Sequence, residues 1–124
     1  MAMRTPLSRV RGLGSAKDGT HHWWMQRLSA VALVPLTVWF VISMISFAGA
    51  DHAAVSAWLA QPLSAVLMLL LVVATFYHLQ LGVQVVIEDY IHGEAAKIAC
   101  LVALKLLSIA LGVAGVFAVL KVAF

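Results

Sequence analysis

Charged side chains are scarce in this sequence. Lys and Arg number 8 and Asp and Glu 5, together 10% of 124 residues. A soluble domain needs far more charge to cover its surface, so that class is excluded. The formal net charge of +3 is small and does not mark a nucleic-acid binder; where the basic residues fall matters more than their sum. Cysteine is nearly absent. Cys100 stands alone in an apolar stretch, which rules out an internal disulfide and any cysteine-built metal site and leaves it as a small packing residue. Acids are missing from most of the first 22 residues, where Asp18 is the only one. There is no internal repeat, no low-complexity tract and no segment of soluble-domain composition.

What the sequence has instead is apolar residues, 64% of the chain, with a mean hydropathy of +1.03. They fall in three long runs, 28–47, 63–87 and 98–119, each long enough to cross a bilayer as a helix. The predicted fold is therefore all-α, with residues 1–22 as a basic N-terminal segment and 23–124 as a three-helix transmembrane domain. Trp23 and Trp24 precede the first span as interfacial anchors do. Pro35 lies inside that span and predicts a kink, which membrane helices tolerate. Pro62 suits the first turn of the second span. Gly112 and Gly115 would allow close helix approach in the third.

The N-terminal segment carries Arg4, Arg9, Arg11 and Lys17 among glycines. Its Arg-rich, acid-poor character raises a transit peptide, but the expectation is an uncleaved tail held against a partner protein. The tail, Arg27 and Lys97 put six basic residues on one side of a three-span protein, against Lys121 on the other. The loop Asp51–Ser56 has no Lys or Arg. The positive-inside rule then places the tail and the Glu88–Lys97 loop in the cytoplasm.

The second span holds the chemistry. His78 interrupts an apolar run, and an ionisable group inside a membrane is costly enough to demand a function or a partner. On a helical wheel with His78 at zero, Gly82 falls at about 40°, Val85 at about 340° and Asp89 at about 20°. A glycine one turn from a histidine leaves room for a flat ligand against the helix, as haem ligation requires. A hydrogen bond to a neighbouring helix explains His78 equally well from position alone. Tyr77, Gln80 and Gln84 form a second polar face, which should meet protein, since lipid would leave the amides unpaired. Two polar faces on one helix predict a second membrane protein beside this one. His78 lies about 15 Å of helix from Glu88, roughly half of a ~30 Å hydrocarbon core. Arg27, with His21 or His22, heads the first span at that same side. By position, Arg27 reads as an anchor to lipid phosphate and Tyr90 as an aromatic-belt residue. Lys105 either snorkels to the interface or faces a neighbouring helix.

The segment from His78 to Asp89-Tyr90, with the His21-x5-Arg27 pattern ahead of the first span, resembles the D-type hydrophobic membrane-anchor subunits of succinate dehydrogenase, respiratory complex II. The stretch Gly82-Val-Gln-Val-Val-Ile-Glu-Asp-Tyr-Ile-His92 carries most of it. The resemblance implies a subunit without catalysis of its own, half of a membrane bundle built by two anchors. Its implied partners are a second membrane anchor subunit, an iron–sulfur subunit and a flavoprotein subunit, with membrane lipid around it and no nucleic acid. It implies haem b as cofactor and ubiquinone as substrate. By matching position, His78 would be this chain's axial ligand to the haem iron, Arg27 and His21 would lie near the propionates, with His22 as the alternative to His21, and Tyr90 and Asp89 would stand at the quinone. The implied location is a bacterial inner membrane with the N-terminus cytoplasmic, the mitochondrial inner membrane being the alternative. The chain has no flavin motif, no cluster cysteines and no second histidine opposite His78, so the enzyme needs its partners. The rival readings are the anchor of a fumarate reductase, a purely structural assembly subunit without haem, and a small proton-coupled transporter.

Overall fold

A computed structural model describes residues 5–12 and 19–124. Arg4 and Lys17 of the basic tail lie outside the described residues, so the expectation that the tail is held against a partner falls largely outside them too. The chain forms α1 (Pro6–Val10), α2 (Gly19–Ser46), α3 (His52–Leu59), α4 (Pro62–Tyr90) and α5 (Glu94–Ala123). The fold is all-α, and α2, α4 and α5 are each long and apolar enough to cross a membrane. At 28, 29 and 30 residues they measure about 42–45 Å, well beyond a ~30 Å hydrocarbon core. This is a multi-pass membrane protein.

The helices extend past the apolar runs at both ends, because polar residues near an interface still favour a hydrogen-bonded backbone. His21, His22, Trp23 and Trp24 lie in the first turns of α2 rather than in a tail. Glu88, Asp89 and Tyr90 complete α4, so the connection to α5 is only Ile91-His92-Gly93. α2 continues through Pro35; lacking an N–H, Pro35 cannot bond the carbonyl one turn earlier. α2 ends on a turn in which Gly49 adopts φ +82°, a left-handed conformation that favours glycine.

One expectation is corrected. Residues 51–56 are not a loop: Asp51 caps α3, its Oδ1 accepting from the Ala54 amide at 2.8 Å. Satisfying one of the free amides of the first turn stabilises so short a helix. Trp58 on α3 stacks on Trp39 with centroids 5.7 Å apart and lies 5.2 Å from the Phe47 ring, tying α3 to α2. Leu59 joins Ala65, Val119 and Ala123 in the buried core, with Met68, Leu69 and Val72 against it. The core therefore sits at the end of the bundle where α4 begins and α5 finishes.

α4 is the central helix. It packs against α2 and against α5, whereas among the described residues no Cα pair between α2 and α5 lies within 8 Å. The α4–α5 seam is close because α5 presents glycines to it. A Cβ added to Gly112 would lie 3.5 Å from Phe76 Cβ, and one added to Gly115 would lie 2.9 Å from Val72 Cγ1. The second distance is too short for a stiff β-branched neighbour to accommodate without movement. Gly115→Val is expected to overpack this seam and destabilise the protein by about 1–3 kcal/mol, measured as a lowered Tm in mild detergent. A Tm at or above that of the parent protein would show that the seam tolerates separation.

Both polar faces of α4 meet helices of this same chain. Gln80 and Gln84 line a cleft against α5 with Leu101, Leu104 and Lys105, and Gln84 Nε2 donates to Glu88 Oε1 at 2.9 Å. The glutamine face thus finds protein, as expected, but supplies no ground for a second membrane protein. Lys105 faces that cleft.

Candidate functional site

The His78 face of α4 turns towards α2. Because the two helices run antiparallel, Ser29 comes level with His78 and Gln26 level with Gly82. Ser29 Oγ lies 2.9 Å from His78 Nδ1 and donates to the Gln26 carbonyl at 3.0 Å. Ser29 is one of the few buried polar residues among those described, 8% exposed. The lone histidine of the apolar run therefore has one ring nitrogen engaged by a neighbouring helix.

One turn further towards the Tyr90 end, α2 and α4 part to form a groove of about 550 Å³. Its walls include His22, Trp23, Gln26 and Arg27 from α2 and Gly82 and Val85 from α4. The wheel reading thus holds: Gly82 and Val85 share the face that carries His78 towards α2. A Cβ built on Gly82 would meet only the Gln26 side-chain amide, at an ordinary 3.6 Å. Packing within the chain does not demand a glycine here, in contrast to Gly115. What the missing side chain keeps open is the groove.

The groove carries polar groups at the end of the bundle where α2 begins. His22 Nε2 and Gln26 Oε1 are buried atoms without a hydrogen-bond partner among the described residues, and such atoms call for an explanation. The Arg27 guanidinium lies 4.3 Å from the centroid of the Trp23 ring, a cation–π arrangement that holds a positive charge at the groove wall. Among the expected site residues, then, Arg27 and Gly82 share the groove and His78 stands beside it. His22 is in its wall; His21, exposed on the first turn of α2, is not. Tyr90 is the last residue of α4 and 79% exposed, and Asp89 beside it is exposed as well. They stand at the same end of the bundle as the groove.

Ser29 and Gln26 were not among the sequence-derived candidates. A single serine in an apolar span carries no motif. The one available signal was the rule that a histidine at that depth needs a partner, without any indication of which span would provide it.

The chain matches the family described as succinate dehydrogenase/fumarate reductase transmembrane subunit over residues 1–114. It is 35% identical to the succinate dehydrogenase hydrophobic membrane anchor subunit of Rickettsia bellii over 94% of this chain and 93% of that one. It is 36% identical to the protein of the same name from Paracoccus denitrificans, covering 77% of this chain and 74% of its relative. A third similar protein, the succinate dehydrogenase membrane anchor subunit of Reclinomonas americana, is 25% identical over 75% and 80% of the two chains.

Proposed function

Since the chain belongs to the succinate dehydrogenase/fumarate reductase transmembrane-subunit family and is a membrane anchor of succinate dehydrogenase, we propose that it serves a succinate:ubiquinone oxidoreductase, holding a haem b through His78 and bordering the ubiquinone site with Tyr90 and Asp89. The observation that carries this reading is the groove between α2 and α4. It is open at a glycine that no packing contact requires, polar at atoms that lack partners among the described residues, and set one turn from a histidine already fixed on one side.

The residues present fit a haem. His78 would supply a neutral imidazole nitrogen to the iron. A second ligand would come from a second anchor protein, as in the two-anchor bundle that the family resemblance implies. Arg27 presents a planar guanidinium suited to paired hydrogen bonds with a carboxylate, and His22 offers a second polar atom from the same wall. Gly82 leaves space for a flat ring against α4. When bound, a haem b supplies one-electron redox chemistry beside the quinone site. The rest of the chain's contribution is anchorage: three spans, and a polar end carrying Asp89 and Tyr90 towards the soluble subunits. We place that end, with the N-terminal segment, on the cytoplasmic side of a bacterial inner membrane, following the bias of basic residues.

Purification in mild detergent, with identification of the subunits and a reduced-minus-oxidised spectrum, tests the reading. A flavoprotein, an iron–sulfur protein and a second anchor should copurify, and a b-type band should appear. Absence of the band from an intact complex would leave the anchor and remove the haem. Absence of the soluble subunits would remove the proposed partners.

A further inference from the structure

We propose that Ser29 is a positioning residue for His78. It accepts a hydrogen bond from the ring's Nδ1–H and so holds the imidazole in the tautomer whose Nε2 lone pair is free to bind iron. This inference rests on the reading of His78 as a haem ligand and adds to it a residue from a different helix.

The placement of one proton decides the tautomer. Ser29 Oγ has two close polar neighbours, the Gln26 carbonyl oxygen at 3.0 Å and His78 Nδ1 at 2.9 Å. A serine hydroxyl has one hydrogen to donate and lone pairs to accept with. The carbonyl can only accept, so that contact takes the serine proton. The contact with His78 is then a hydrogen bond only if Nδ1 carries the hydrogen and donates it to Oγ. A neutral imidazole protonated at Nδ1 has its lone pair on Nε2. The opposite assignment, Ser29 donating to Nδ1, would set two oxygen lone-pair regions against each other at 3.0 Å. It would also put the proton on Nε2, where it blocks metal ligation.

Ser29 is held for this task. It is buried at 8% exposure, and its bond to the carbonyl three residues earlier fixes its side chain on the helix that bears it. The imidazole therefore has its rotation and tautomer set by α2 before any ligand arrives. Such outer partners fix the orientation of a ligating histidine and raise its basicity. A more basic ligand favours ferric over ferrous iron, so loss of the partner should raise the midpoint potential of the haem.

The test is made on the assembled complex in mild detergent with Ser29→Ala, Ser29→Thr and, as reference, His78→Ala. Alanine is a good helix former, so Ser29→Ala should assemble. Its b-type haem is expected at a higher midpoint potential than in the parent complex. Its affinity for haem should fall about 10- to 100-fold, read as a lower haem-to-chain ratio when haem is limiting. Ser29→Thr keeps the hydroxyl, which in a helix still bonds a carbonyl of the preceding turn, and should restore both values. Complete loss of the band in Ser29→Ala with recovery in Ser29→Thr would support the proposal equally; loss without recovery would overturn it in favour of a packing role. An unchanged potential and haem ratio in Ser29→Ala, while His78→Ala loses the band, would overturn the positioning role and leave His78 as ligand. An unchanged band in His78→Ala would overturn both.

Discussion

His78→Ala is expected to abolish the b-type band in the reduced-minus-oxidised spectrum while the complex still assembles. The expectation follows from the chemistry of the ligand set. An alanine has no lone pair for iron, so position 78 of the variant would supply no ligand. The substitution removes one side chain from a half-buried position on α4 and leaves the Ser29 hydroxyl its bond to the Gln26 carbonyl. The core at the far end, around Leu59, Ala65, Val119 and Ala123, is not touched. Assembly, measured by copurification of the soluble subunits, should therefore survive, and succinate oxidation with a water-soluble artificial acceptor should stay near the parent rate. Ubiquinone reduction should persist in substantial part, because the contribution assigned to Tyr90 does not depend on His78. A variant with the parent spectrum and the parent haem potential would show that the band belongs to ligands elsewhere in the complex, and His78 would then be a histidine satisfied by Ser29 alone.

Tyr90→Phe should produce the opposite pattern: an intact haem spectrum with slowed quinone chemistry. As ubiquinone accepts two electrons and two protons, negative charge builds on its carbonyl oxygens. A phenol that donates to one of them stabilises that charge, more so where water is scarce. Tyr90 ends α4 at the groove's end of the bundle and is 79% exposed in the isolated chain, so its ring is available to a site completed by other subunits. On the helix it lies about 120° around the axis from His78, which lets one helix serve two ligands without their colliding. Phenylalanine keeps the ring and deletes only the hydroxyl. The variant should assemble, hold its haem and oxidise succinate with an acceptor that bypasses the quinone. Its ubiquinone reductase rate should fall on the order of tenfold or more if one transition-state hydrogen bond is lost. Parent-like quinone kinetics would return Tyr90 to the interfacial aromatics, and the donor would have to come from another protein of the complex.

The amino-acid sequence by itself determined the features that depend on neighbours along the chain. Three apolar runs specify three helices, because in a bilayer each backbone amide must be paired within its own segment. The 3.6-residue period puts Gly82 and Val85 on the face of His78, and the groove wall bears this out. Gly112 and Gly115 announced a close seam, and Val72 and Phe76 lie against it. Tertiary structure decided which helix meets which face, something no single period encodes. It turned the glutamine face of α4 onto α5 and Lys105, where position alone suggested a second membrane protein. It brought His22 rather than His21 into the groove wall, a choice set by the rotation of α2 against α4. It made a helix of residues 52–59, whose local sequence is too short to show a period and which gains its stability from the Asp51 cap and from Trp58 packed against Trp39 and Phe47. And it supplied the partner of His78. Ser29 stands 49 residues away in sequence and 2.9 Å away in space, a distance that only the antiparallel docking of α2 on α4 creates.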